Sequence, residues 1–111
     1  MTLADRVTIV TGAGQGIGKA TALALARAGA HVAAVDVDRA TAEETAAAVA
    51  ALGRRSLAVP ADVGDLADID RMARRVADTF GRIDVLVNNA GVTRRASIMD
   101  LTEDDWERIM R

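Results

Sequence analysis

The chain has 111 residues, a formal net charge of −2, half of its residues hydrophobic and no cysteine, which fits one globular domain with a single modest core. The near-neutral charge gives no electrostatic reason to expect nucleic acid or an anionic membrane as a partner, and no apolar run reaches the length of a membrane span or a signal-peptide core. Without cysteine there are no disulfides and no thiol catalysis, which suits a reducing, cytoplasmic setting.

Short β-branched runs alternate with longer helical ones. "RVTIV", Arg6 to Val10, is an apolar run of strand length, and it enters "TGAGQGIGKAT", with four glycines between Gly12 and Gly18. From Ile17 to Ala28 apolar residues recur at helical spacing, and Gly29 follows as a natural helix terminator. "HVAAVDV", His31 to Val37, reads as the second strand. The second helix is expected from Thr41, which with Glu44 makes a capping box, to Leu52, with Gly53 ending it.

"SLAVP", Ser56 to Pro60, is the third strand, and its terminal proline cannot donate into a central ladder. Asp65 reads as the cap of a third helix reaching Phe80, with Gly81 beyond it. "IDVLVNNAG", Ile83 to Gly91, is a fourth strand running into a polar turn. Thr102 with Asp105, and Leu101 against Trp106, open a fourth helix near the end of the sequence.

Strand–helix alternation with apolar strands predicts an α/β fold. The expectation is a partial Rossmann-like, doubly wound parallel sheet of about four strands in the order 3-2-1-4, with helices on both faces. The fourth strand is apolar enough for an interior position, so an open edge beside it is expected to invite a further neighbour.

The glycine loop carries the chemistry. It follows a strand, opens a helix, and an acidic residue ends the next strand, which is the setting of a dinucleotide-binding turn. Gly12 permits the tight turn, Gly16 lets the backbone approach a pyrophosphate, and Gly18 allows close helix-to-strand packing. The free amides of the first helical turn and the helix dipole favour the anion. A tight turn without ligand is the plain alternative.

Asp36, at the end of the second strand, lies where an adenosine ribose would bind, and its carboxylate can accept from both hydroxyls. A 2′-phosphate there would meet a like charge; at about 4 Å and an effective dielectric of about 20 this costs about 4 kcal/mol per unit-charge pair. Gln15, neutral in the loop, offers no rescuing cation, so NAD is expected over NADP, with nearby Arg39 arguing the other way. As a turn or cap residue Asp36 would have a rival, since Asp38 is the better cap.

"TGAGQGIG", the "ADV" of Ala61 to Val63 and the "NNAG" of Asn88 to Gly91 together resemble the short-chain dehydrogenase/reductase family. The segment from Gly91 to Met110 further resembles its 3-oxoacyl-carrier-protein reductase branch, a stretch that neighbouring branches share. The resemblance implies that Asp62 and Val63 contact adenine, by side chain and backbone respectively, and that Thr11 hydrogen-bonds within the loop and steadies it. It implies Asn88 as a brace for the sheet, with Asn89, Ala90 and Gly91 beside the cofactor. The cofactor-binding set is thus Thr11, Gly12, Gln15, Gly16, Ile17, Gly18, Asp36, Asp62, Val63, Asn89, Ala90 and Gly91, with no metal ligand.

In that family a tyrosine, a lysine four residues later, a serine and an asparagine handle the substrate proton. Here there is no tyrosine, and the sole lysine, Lys19, follows the glycine loop. No catalytic residue is therefore assigned. Ser97 is a loop serine, and His31 precedes the second strand away from any nicotinamide. The arginine pairs at 54/55, 74/75 and 94/95 read as solvated surface, with a substrate-facing place as the alternative for Arg94 and Arg95, and Trp106, Met99 and Met110 read as core or interface residues.

The expectation is that residues 1–111 are the N-terminal, NAD-binding part of a single domain, ending before the catalytic segment. The family resemblance implies hydride transfer between a nicotinamide and a small carbonyl or alcohol substrate, in a protein that forms homo-oligomers. The alternative is a catalytically inactive nucleotide-binding fragment or truncated remnant.

Overall fold

The computed structural model describes residues 3–14 and 16–89. Four strands, β1 (Val7–Thr11), β2 (His31–Asp36), β3 (Ser56–Pro60) and β4 (Val85–Asn88), alternate with three helices, α1 (Gly16–Arg27), α2 (Arg39–Ala51) and α3 (Leu66–Phe80). All strand pairs are parallel and the sheet order is β3-β2-β1-β4, as the alternation predicts. The register sets Ile9 beside Ala33 and Leu86, and Val35 beside Val59.

Side chains on a strand alternate between faces, and this sheet is covered on both. Val7, Ile9, Ala33, Val35 and Val59 pack against Met72, Ala73 and Val76 of α3. Val10, Val32 and Ala34 pack against Ala22 and Ala26 of α1 and Ala46 and Val49 of α2. The alanines of α1 and α2 keep that side thin. Thr8 is fully buried, but its hydroxyl donates to the His31 carbonyl across 2.9 Å, so no polar group is stranded.

Helix ends follow local chemistry, with one departure from the sequence expectation. Asp65 caps α3, accepting from the amides of Ala67 and Asp68, and Gly81 ends it at φ 82°. α2 starts at Arg39 and not at Thr41. Asp38 is the cap, and its carboxylate takes the Ala40 and Thr41 amides. Asp38, three residues upstream of the expected cap at Thr41, captures the free donors, and the Thr41 hydroxyl instead donates back to the Asp38 carbonyl. β2 also ends one residue short of Val37, and β4 is shorter than Ile83–Gly91. The helix expected around Thr102, with Leu101, Asp105 and Trp106, lies outside the described residues.

Two contacts set the tightness of the assembly. A Cβ added at Gly18 would stand 1.8 Å from the Gly12 carbonyl oxygen, because α1 is pressed against the exit of β1. At the opposite end of the sheet, Asp84 leads into β4. Its Oδ2 accepts from the buried Val7 amide at 2.9 Å, and its Oδ1 meets Arg82 at 2.6 Å and Arg6 at 3.7 Å. Asp84 and Val7 also exchange a backbone bond, Asp84 N–H to Val7 carbonyl, so one carboxylate and one amide pin β4 to β1. β4 itself remains half-buried from Val85 to Val87.

Gly18→Ala should therefore cost about 1–3 kcal/mol or more, since backbone has to move to admit the methyl. Thermal unfolding should show a Tm lowered by several degrees, and a change within about one degree would contradict the close approach.

Burial alone would raise the Asp84 carboxyl, but Arg82, the Val7 amide and Arg6 together hold it below the usual carboxylate range. A depressed folded-state value stabilises fully above the unfolded value, near about 4, and the contribution is lost as pH falls below it. Urea unfolding at pH 6 and at pH 3 should show Asp84→Asn less stable than the parent at pH 6 and less weakened by acid. Equal acid losses in both proteins would refute the tether.

Candidate functional site

Because the strands are parallel, their C-terminal ends share one edge, and every described residue of the expected binding set lies there, in the loops leaving it or in the first turn of α1. Gln15, Ala90 and Gly91 lie outside the described residues, as do Ser97, Met99, Met110, Arg94 and Arg95.

The glycine loop leaves β1 with Gly12 at φ 63°, a conformation that favours glycine. It is fastened at successive points. The Ala13 amide donates to the Val35 carbonyl at 3.1 Å, and the Ala13 carbonyl accepts from the buried Thr45 hydroxyl at 2.8 Å. The Gly14 amide donates to Asp36 Oδ2 at 3.0 Å. At Gly16, which opens α1, a Cβ would meet nothing within 4 Å. The first turn of α1 carries no acidic side chain, and Ile17 is 78% exposed. Open backbone at the positive end of a helix is a place for an anion.

Asp36 ends β2, and it is not a helix cap. Its Oδ2 holds the Gly14 amide and its Oδ1 holds the Asp38 amide, each at 3.0 Å. An ionised carboxylate offers about four acceptor sites, so two further donors can be accommodated. Arg39, the first residue of α2, is exposed, and its guanidinium makes no ion pair among the described residues.

Beyond β3 the chain turns through Ala61, Asp62 and Val63. The Ala61 amide donates to the Asp36 carbonyl, which extends the β2–β3 ladder into the loop. Asp62 is exposed, and its Oδ1 accepts from the Gly64 amide at 2.8 Å. Among the described residues its Oδ2 has no partner, and neither has the Val63 amide. An acceptor and a donor one residue apart can pair with a group that presents the complementary pattern.

At the end of β4, the Thr11 hydroxyl donates to Asn88 Oδ1 at 2.8 Å and accepts from the Asn89 amide at 3.1 Å. Thr11 thus ties β1 to β4 and does not bond within the glycine loop, because its side chain faces the neighbouring strand. Asn89 Nδ2 is buried and has no partner among the described residues. A buried donor left unpaired is costly, so it marks a place for an acceptor.

Sequence reasoning missed Thr45, which anchors the loop to α2, and Asp68, whose Oδ2 accepts from the Asp62 amide at 2.9 Å. Neither has a local signature; each acts on backbone that only folding brings near. His31 lies at the far edge of the sheet, with Nδ1 accepting from the Arg55 amide and its ring stacked on Phe80. Arg55 lies over the same Phe80 ring, 4.8 Å from its centroid, so it is a packed residue and not simply solvated surface. No helix among the described residues is long and apolar enough to cross a membrane.

The short chain dehydrogenase family model matches residues 6–111. The chain is 41% identical over 109 residues to the 3-oxoacyl-[acyl-carrier-protein] reductase of Synechocystis, covering 97% of this chain and 44% of that protein. It superposes on the Pseudomonas aeruginosa RhlG/NADP active-site complex with a TM-score of 0.75 at 37% identity, covering 82% of this chain and 36% of that one. Carveol dehydrogenase from Mycobacterium avium, solved in complex with NAD, gives a TM-score of 0.77 at 28% identity, over 96% of this chain and 43% of that one. The chain spans about two fifths of the length of the curated relatives it matches. With the strand order, the glycine loop and the match all in agreement, the chain belongs to the short chain dehydrogenase family.

Proposed function

We propose that residues 1–111 form the N-terminal, cofactor-binding part of a single Rossmann-like domain in an NAD-dependent oxidoreductase. Its reaction is hydride transfer between a nicotinamide and a small carbonyl or alcohol substrate. The nicotinamide, when bound, supplies the hydride chemistry. The residues of this chain bind and orient.

The features of the site fit such a cofactor. Open backbone at Gly16 and the start of α1 suits a pyrophosphate. Asp62 Oδ2 and the Val63 amide suit the amine and ring nitrogen of an adenine edge. The unpaired Asn89 Nδ2 suits an acceptor further along the cofactor. No tyrosine is present in the sequence, so proton transfer is not assigned to any residue here.

The observation that carries the choice of NAD is Asp36. Its carboxylate is held at the end of β2 by two backbone amides, oriented and with acceptor capacity to spare for two ribose hydroxyls. A 2′-phosphate would bring a second negative charge against it, and Arg39, three positions further along the chain, is an exposed cation that argues the other way.

Asp36→Ala should weaken NAD binding about tenfold to hundredfold, the range expected for charged hydrogen bonds worth about 1.5–3 kcal/mol. NADP should lose far less or gain, and Asp36→Asn, which keeps an acceptor, should fall between. Calorimetric titration of both cofactors checks this; an unchanged NAD to NADP ratio would remove the ribose assignment.

A further inference from the structure

The loop after β3 is held from outside by α3. Asp68 Oδ2 accepts from the Asp62 amide at 2.9 Å. Its Oδ1 receives Arg71, at 3.2 Å from Nη2 and 3.4 Å from Nε, and the same Nη2 donates to the Pro60 carbonyl at 3.0 Å. The carbonyl of Pro60 and the amide of Asp62, on either side of buried Ala61, are therefore gripped by two side chains that also grip each other.

Inside the loop, Asp62 folds back on itself. Its Oδ1 takes the Gly64 amide and its carbonyl takes the Asp65 amide at 3.1 Å. What these bonds leave over is narrow: Asp62 Oδ2 as acceptor and the Val63 N–H as donor.

We propose that Asp68, locked by Arg71, is a positioning residue for base recognition, fixing the Asp62 amide so that the Asp62 carboxylate and the Val63 N–H meet the amine and ring nitrogen of adenine. This rests on the cofactor reading given above and extends it to two residues that do not touch the cofactor. The Asp62 amide first, and then Arg71, hold the Asp68 carboxyl below its usual range, so the grip is set at any pH near neutrality. Ala61 links the same loop to the Asp36 carbonyl, so the base loop and the ribose carboxylate share one stretch of backbone.

The test compares NAD with nicotinamide hypoxanthine dinucleotide, in which an oxo group replaces the adenine amine and N1 carries a hydrogen. Dissociation constants are measured calorimetrically on the full chain. The parent should prefer NAD by about tenfold or more, and Asp62→Ala should narrow the ratio to about threefold, the remainder resting on the Val63 N–H. Asp68→Ala, with Asp62 intact, should narrow the preference to about twofold or threefold. Asp68→Asn, which keeps an oxygen for the Asp62 amide, should restore most of it. A loss of general structure would weaken both dinucleotides alike and leave the ratio unchanged.

If the parent does not distinguish the two dinucleotides, or binds neither, the adenine assignment itself falls and the proposal with it. If the parent distinguishes them, Asp62→Ala narrows the difference, and Asp68→Ala keeps the full ratio, the positioning role is overturned while the cofactor reading stands. Should Asp68→Ala lack a cooperative thermal transition, Arg71→Ala carries the comparison. A narrowed ratio then supports the proposal, and an unchanged one overturns it.

Discussion

The fold turns on one close approach. Helix α1 meets the end of β1 so tightly that the Gly12 carbonyl occupies the space where a side chain on residue 18 would begin. That contact fixes the depth at which α1 starts and hence where its first amides open. The remaining loop bonds follow from it, with Ala13 fastened to β2 and α2 and Gly14 to Asp36. A longer turn could join the same strand and helix. It would not hold bare backbone at this distance from the sheet edge.

Asp36 is the second node. Its carboxylate joins the glycine loop to the start of α2, and its carbonyl joins β2 to the loop after β3. Three segments distant in sequence are thus referred to a single residue at the strand end. The features of the candidate site lie along a continuous edge, from the end of β4 through the glycine loop to the loop after β3, because each is bonded to its neighbour through backbone.

What was legible in the sequence was local. Apolar strand runs, glycines at 29, 53 and 81, and the Asp65 cap each depend on neighbours within a few residues, and strand order follows from right-handed crossovers. The Thr41 cap was misplaced because two capping patterns overlap in "DRATAEE", and only the folded backbone shows that Asp38 reaches the free amides. The wiring of the site was not legible for a different reason. Asp36 to Gly14, Thr45 to Ala13 and Asp84 to Val7 span 22, 32 and 77 positions. Such bonds exist only after the sheet has assembled, and their partners are backbone groups that every residue possesses. Asp68 and Arg71 were invisible for the same reason, since an aspartate and an arginine three apart on a helix look like surface charge.

The packing around Gly14 constrains what can replace it. A Cβ there would fall 2.2 Å from the Thr41 hydroxyl and 2.8 Å from Asp36 Oδ2. A side chain at position 14 is therefore admitted only if the Thr41 side chain and the Asp36 carboxylate both move aside. Any larger residue there would thus disturb the aim of the Asp36 carboxylate through bulk, before a charge of its own came into play.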